Sequence, residues 1–174
     1  TWWWSTVRIS KPWREWLSCF CFRTSVHPRN KLDVGYRLSR SGLNVAYGQT
    51  NVPYLGPIVS SVTIASDSHQ VNVTYSNEAS PSIELRNSNG FEVCCRGQQL
   101  CASNNTVWVA TPASTIQNEQ LTISLTVPSS CVGQKINALR YLWRETPCVF
   151  KQAAVYNSLD LNIPAAPYIK YFSS

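Results

Sequence analysis

Charged side chains are scarce in this chain, at 14% of 174 residues against 44% apolar ones. Such a balance can bury a core and excludes a chain disordered by composition. Histidine is scarcer still, with only His27 and His69. Long apolar runs are absent, and no stretch approaches the roughly 20 residues of a membrane span. The cysteines form no C-x-x-C pair, and the only histidine near the β-rich ones is His69, so a structural zinc site is not expected. There is no internal repeat, no low-complexity tract and no motif that calls for a cofactor. The N-terminus does not read as a signal peptide.

What charge there is lies unevenly. Residues 1 to 32 hold six Lys/Arg and one acid, Glu15, whereas the rest hold nine basic and eight acidic side chains. The formal +6 is therefore concentrated at the front, and the remainder lacks the basic stripe that phosphate binding needs. Nucleic acid is not an expected partner. Five of the seven cysteines (Cys94, Cys95, Cys101, Cys131 and Cys148) fall in the later part, where bridges would staple loops. Two N-x-S/T sequons, at Asn72 and Asn104, point the same way, toward a lysosomal or secreted protein.

Residues 1–24 differ from the rest of the chain. Trp2, Trp3, Trp4, Trp13 and Trp16 are five of the seven tryptophans. An interfacial, membrane-lying segment is one reading, but periodicity is poor and Pro12 interrupts any helix. The other reading is a shifted reading frame: TGG repeats read one base out of phase encode valines, and the Trp-Trp-Trp-Ser run becomes a strand ending in an acid. Residues 25–50 form the next segment. Leu32, Tyr36, Leu43 and Tyr47 recur at helical spacing, with Arg37 and Arg40 expected to turn away and Gly48 to stop the helix. The Gln49–Pro57 loop reads as a boundary.

From residue 51 to 174 the texture is that of strands. About seven β-branched or alternating segments are expected, at 58–64, 70–75, 83–86, 91–94, 106–110, 121–127 and 138–143, with an Asn89-Gly90 turn signal. Their spacing predicts a mainly β chain with a C-terminal antiparallel β-sandwich.

Acyl transfer by a serine enzyme needs a hydroxyl, a histidine to take its proton, an acid to orient the histidine and oxyanion donors. His27, beside Pro28 and just before the helix, is the only histidine placed for such work. His69 reads as a solvated turn residue. In their order and spacing, Val26-His27-Pro28-Arg29-Asn30-Lys31, Gly35-Tyr36-Arg37-Leu38, Ala46-Tyr47-Gly48 and Gly56-Pro57 resemble the sialate O-acetylesterases. So do Ala138-Leu139-Arg140-Tyr141-Leu142-Trp143, Pro147-Cys148, Phe150-Lys151-Gln152, Tyr156-Asn157 and Pro164-Ala165-Ala166-Pro167-Tyr168-Ile169.

The resemblance implies that the helix is the end of an α/β hydrolase domain of the SGNH type, and that the chain is the C-terminal fragment of the enzyme. It makes His27 the general base, with O-acetylated sialic acid or a sialoglycan as the substrate of the intact enzyme. The family's serine block has no counterpart here, so the fragment is expected to be inactive alone. Thr24 stands where such enzymes often carry the triad acid. Asp33 is not given that role, because it comes after the histidine and would lie on the helix. Cys131 and Cys148 read as bridge partners, with each other, rather than as nucleophiles, and Cys95 and Cys101 could pair across a tight loop, although spacing fixes no connectivity. Trp108, Trp143 and Tyr141 could make a sugar-stacking platform, but their place in strands favours core packing. The competing reading of the whole is a non-catalytic β-sandwich module that binds carbohydrate or protein.

Overall fold

Alternating burial builds the first sheet. In a computed structural model of the chain, which describes residues 31–65, 69–117, 121–144 and 147–172, strand β2 (Gln70–Tyr75) sends Val71, Val73 and Tyr75 inward, each at most 1% exposed. It pairs antiparallel with β1 (Val59–Ile64) on one side and β7 (Thr122–Thr126) on the other. On the opposite face polar side chains satisfy one another: Thr74 and Thr122 hydroxyls lie 3.1 Å apart, and Ser124 Oγ donates to Asn72 Oδ1 at 2.9 Å. This polar ladder lets β7 be buried on both faces with its hydroxyls paired. Strand β6 (Ala113–Gln117) completes the order β1-β2-β7-β6. Extra residues at Ser60 and Ser114 bulge the two edge strands, which blunts both edges.

The second sheet has the order β10-β8-β4-β5, from β10 (Tyr168–Tyr171), β8 (Ala138–Tyr141), β4 (Phe91–Cys94) and β5 (Val109–Ala110). Phe91, Val93, Leu139 and Tyr141 face the first sheet and share one apolar cluster with Val73 and Leu125. The remaining side chains of β4 and β8, Glu92, Cys94, Ala138 and Arg140, point to the other face, yet all are buried. They are covered by a short helix α2 (Gln98–Ser103) and the 3-10 turn Asn105–Val107, whose Trp108 packs with Cys94, Cys101 and Ala138. A ribbon of β3 (Ile83–Leu85) and β9 (Val155–Asn157) adds Ile83, Val155 and Tyr156 to the main core. Every strand pairing among the described residues is antiparallel, as the sequence predicts.

Three expectations change in detail. Strands β6, β9 and β10 lie outside the seven expected segments. The 106–110 segment is a strand only at Val109–Ala110, because Asn104 caps a 3-10 turn by accepting from Thr106 N at 2.8 Å. The third change concerns the helix. α1 (Leu32–Ser41) runs into one wider turn, Gly42–Ala46, and stops where Gly48 takes φ +68°. Its buried face is polar: Leu32 and Tyr47 are more than three-quarters exposed, whereas Asp33 is 5% exposed. Arg37 and Arg40 turn toward the sandwich rather than away from it.

Candidate functional site

Helix α1 is fastened to the sandwich by charge and hydrogen bonds. Asp33, Tyr36, Arg37 and Arg40 stand at i, i+3, i+4 and i+7, which sets them on one helical face. Tyr36 Oη donates to Asp160 Oδ2 at 2.6 Å, and Arg40 Nε lies 3.4 Å from the same oxygen. Arg40 Nε also donates to the Pro53 carbonyl at 3.1 Å, and Arg37 Nε to the Asn162 carbonyl at 2.9 Å. Lys151 Nζ pairs with Asp33 Oδ1 at 3.1 Å. Asp160 is 7% exposed, and its Oδ1 accepts from Asn162 N at 3.1 Å, so the acceptor is held in place. The bond to Asp160 raises the Tyr36 phenol above its ordinary range, with burial and the carboxylate charge adding to it. A charge-assisted hydrogen bond of this kind is stronger than a neutral one.

The loop between helix and sandwich is packed, not loose. At Gly56 a Cβ would lie 2.0 Å from the Pro164 carbonyl oxygen, so only glycine permits this approach. Asn157 Nδ2 donates to Leu55 O at 3.0 Å and to Ala79 O at 2.9 Å, tying the loop to β9.

A second cluster lies on the far side of β4 and β8. Glu92 and Arg140 are register partners and pair at 2.8 Å. Arg144 also pairs with Glu92, and Arg140 lies over the Trp108 ring, 4.4 Å from its centroid, while donating to Asn105 Oδ1 at 2.8 Å. Burial opposes the charge on Glu92, but hydrogen bonds from Arg144 and Arg140 outweigh it and hold the carboxyl below its usual range. Beside this cluster a cleft of about 390 Å³ opens, lined in part by Ser88, Asn89, Glu92, Thr111, Trp143 and Arg144.

His27, the expected general base, lies outside the described residues, as do Thr24 and the whole of residues 1–24. His69 is exposed immediately before β2, and its carbonyl accepts from Val127 N at 2.9 Å. Asn72 sits within β2, bonded to Ser124, whereas Asn104 is exposed and accepts from both Thr106 N and Thr106 Oγ1. The expected cysteine pairings are corrected. Cys101 bridges to Cys94, not Cys95, and Cys95 bridges to Cys131, while Cys148 takes part in neither bond. Cys94 ends β4 and Cys95 follows it with its side chain on the opposite side, so Cys94 bridges to Cys101 on α2 and Cys95 to Cys131 on the 3-10 turn Ser129–Cys131. Trp108 and Tyr141 are core residues, as favoured, but Trp143 is 39% exposed at the cleft. Among the described residues no three His, Cys, Asp or Glu gather to hold a metal, and no helix is long and apolar enough to cross a membrane.

Sequence reasoning missed Asp160, Lys151 and the Glu92–Arg144 pair. The i, i+3, i+4, i+7 spacing of Asp33, Tyr36, Arg37 and Arg40 carries the signal for the first group. A polar stripe of that kind ordinarily marks a solvated face, which is why apolar spacing misleads here.

Residues 60–172 match the family model of the sialate O-acetylesterase C-terminal domain. The chain is similar to the sialate O-acetylesterase of Mus musculus, at 32% identity over 149 residues, covering 86% of this chain and 25% of the relative. The Homo sapiens enzyme is 29% identical over 149 residues, covering 86% and 26%. A crystal structure of a carbohydrate acetylesterase from Xanthomonas citri shares the fold, with TM-score 0.60 and 23% identity over 83% of this chain and 28% of that one. The chain thus spans about a quarter of the length of the curated relatives it matches. With a family model covering most of it and strands arranged as in a solved acetylesterase, the chain belongs to the sialate O-acetylesterase family and carries that family's C-terminal domain.

Proposed function

We propose that this chain is the end of an esterase acting on O-acetylated sialic acids, and that its β-sandwich braces the helix following the catalytic histidine. The observation that carries this reading is the polar fastening of α1, where Asp160 and Lys151 of the sandwich engage Tyr36, Arg40 and Asp33. The His27-Pro28 block lies just before that helix in sequence. A base works only when its ring is aimed within hydrogen-bond reach of the hydroxyl it serves, so a rigid support under the next element has chemical value. In the intact enzyme a serine from polypeptide outside this chain attacks the acetyl carbonyl carbon. His27 takes the serine proton and passes it to the departing sugar oxygen. Water, deprotonated by His27, then attacks the acetyl-serine carbonyl carbon, the bond to the serine oxygen breaks as that oxygen recovers the proton from His27, and acetate is released.

The chain alone has the base but no serine block, and is inactive. The helix and histidine belong to a hydrolase domain of the SGNH type, as the order of the H-P and G-Y-R-L blocks suggests. Two disulfides among the described residues favour an oxidising compartment, and with the sequons they support a lysosomal or secreted protein. Incubating the purified chain with a chromogenic acetyl ester and with O-acetylated sialic acid tests the reading. No turnover above that of His27→Ala is expected. Turnover that disappears in His27→Ala would contradict it.

A further inference from the structure

The cleft beside Trp143 takes no part in the fastening of α1. Strand β8 ends at Tyr141, and Leu142 then adopts φ +47°, a left-handed backbone that a branched apolar residue rarely takes. Its N–H donates to the Gly90 carbonyl at 2.8 Å. Gly90 itself has φ +105°, and a Cβ there would come 2.8 Å from Leu142 Cδ2. Two unusual backbone positions thus support each other. Their joint effect is that Leu142 stays buried while Trp143 is turned out to the cleft. Backbone strain of this kind persists where the surroundings enforce it, and it clusters at binding sites.

The charge balance adds a second observation. One carboxylate, Glu92, faces two guanidinium groups, so the cluster as a whole carries one positive charge in excess, with Arg140 buried behind the wall and Glu92 and Arg144 lining it. Arg140 is occupied on every side, by Glu92, Asn105 and the Trp108 ring, and its side chain is 3% exposed. Arg144 is 60% exposed, so its outer N–H groups reach solvent while Glu92 fixes the fork. Exposed Ser88 and Asn89 stand on the rim. A second cleft of about 420 Å³ shares Asn89, Gly90, Leu142 and Pro147 with the first and continues to Val149 and Gln152. Both volumes fall in the range of small-ligand sites, about 300–1,000 Å³.

We propose that this groove binds a glycan through an acidic pyranose, the ring face on Trp143 and the carboxylate on Arg144. An indole face suits the C–H face of a sugar ring, and the outer guanidinium edge of Arg144, left open when Nε and Nη2 engage Glu92, suits a second carboxylate. The choice of an acidic sugar as probe rests on the esterase reading, but neither Trp143 nor Arg144 is a residue which that reading assigns to acetyl transfer. Calorimetric titration of the full chain with sialyllactose and with lactose is the test. Sialyllactose is expected to bind at least about tenfold more tightly than lactose, the value of one charge-assisted contact. Trp143→Ala, at an exposed side chain, should abolish binding of both sugars without moving the melting temperature. Arg144→Lys should weaken sialyllactose about tenfold and leave lactose unchanged, since the charge remains but the fork is lost. Absence of sialyllactose binding, equal affinity for both sugars, or binding that survives Trp143→Ala would overturn the proposal. None of these outcomes alters the acetyl-ester assay, so a failed groove and a failed esterase reading are told apart.

Discussion

Removing the Cys95–Cys131 bridge should destabilise the sandwich more than removing Cys94–Cys101. The first closes a loop of 36 residues and the second one of seven. Cross-linking stabilises mainly by restricting the unfolded chain, and the restriction grows with loop length, to about 3.8 kcal/mol for the longer loop and about 2.4 kcal/mol for the shorter. Both joined ends are buried: Cys131 is 0% exposed in the main core and Cys101 3% in the satellite cluster under Trp108. Alanine substitutions therefore add a similar small cavity in each case, and the difference of about 1.4 kcal/mol survives the comparison. Urea unfolding of oxidised Cys95→Ala/Cys131→Ala and Cys94→Ala/Cys101→Ala variants measures it directly. A companion labelling experiment checks the connectivity: in Cys131→Ser, alkylation of the native protein after mild unfolding should mark Cys95. Marking of Cys101 in place of Cys95, or a larger loss from the seven-residue loop, would refute the reasoning.

Three further outcomes rest on the charges and the surface. Glu92→Ala leaves the buried Arg140 without its carboxylate and should cost about 3 kcal/mol, the lower end for a broken buried pair because the exposed Arg144 remains hydrated. Since the folded carboxyl lies below its usual range, this stabilisation is present above the ordinary carboxylate pKa and is lost as pH falls through the lowered one, so the wild-type excess in melting temperature should shrink on acidification. Tyr36 has the opposite sign: its phenol is raised, so its bond to Asp160 is intact below the usual tyrosine range and is lost as pH rises through the higher folded value. The stability gap between wild type and Tyr36→Phe, taken by thermal scans in alkaline buffers, should close there. When the chain is exported from a eukaryotic cell, a glycosidase-sensitive mass shift should correspond to one glycan at Asn104, because Asn72 is engaged with Ser124 within β2; Asn104→Gln should remove the shift entirely.

The sheet elements were legible where chemistry repeats at every second residue. Val71, Val73 and Tyr75, or Ile123 and Leu125, alternate with polar residues as a half-buried strand requires. Strands β9 and β10 carry no such signal, being three or four residues whose pairing is set by partners far along the chain, Ile83–Leu85 and Ala138–Tyr141. α1 was legible as a helix but not in orientation, since its inner face is stabilised by ion pairs with Asp160 and Lys151, more than 100 residues away. Disulfide pairing was illegible for a related reason. Cys94 and Cys95 are neighbours in sequence but face opposite layers, and only the fold says which layer holds Cys101 and which Cys131. Trp143 reads as a strand residue until the left-handed Leu142 turns it outward.

Amide hydrogen exchange across α1 tests the proposed bracing of this helix by the sandwich most directly. In the intact chain, Leu32–Ser41 should be protected well beyond an isolated ten-residue helix, which is marginal in water. Asp160→Ala combined with Lys151→Ala should release that protection while β2 and β7 stay protected. Free exchange of α1 in the unaltered protein, or protection that persists in the double variant, would contradict the account.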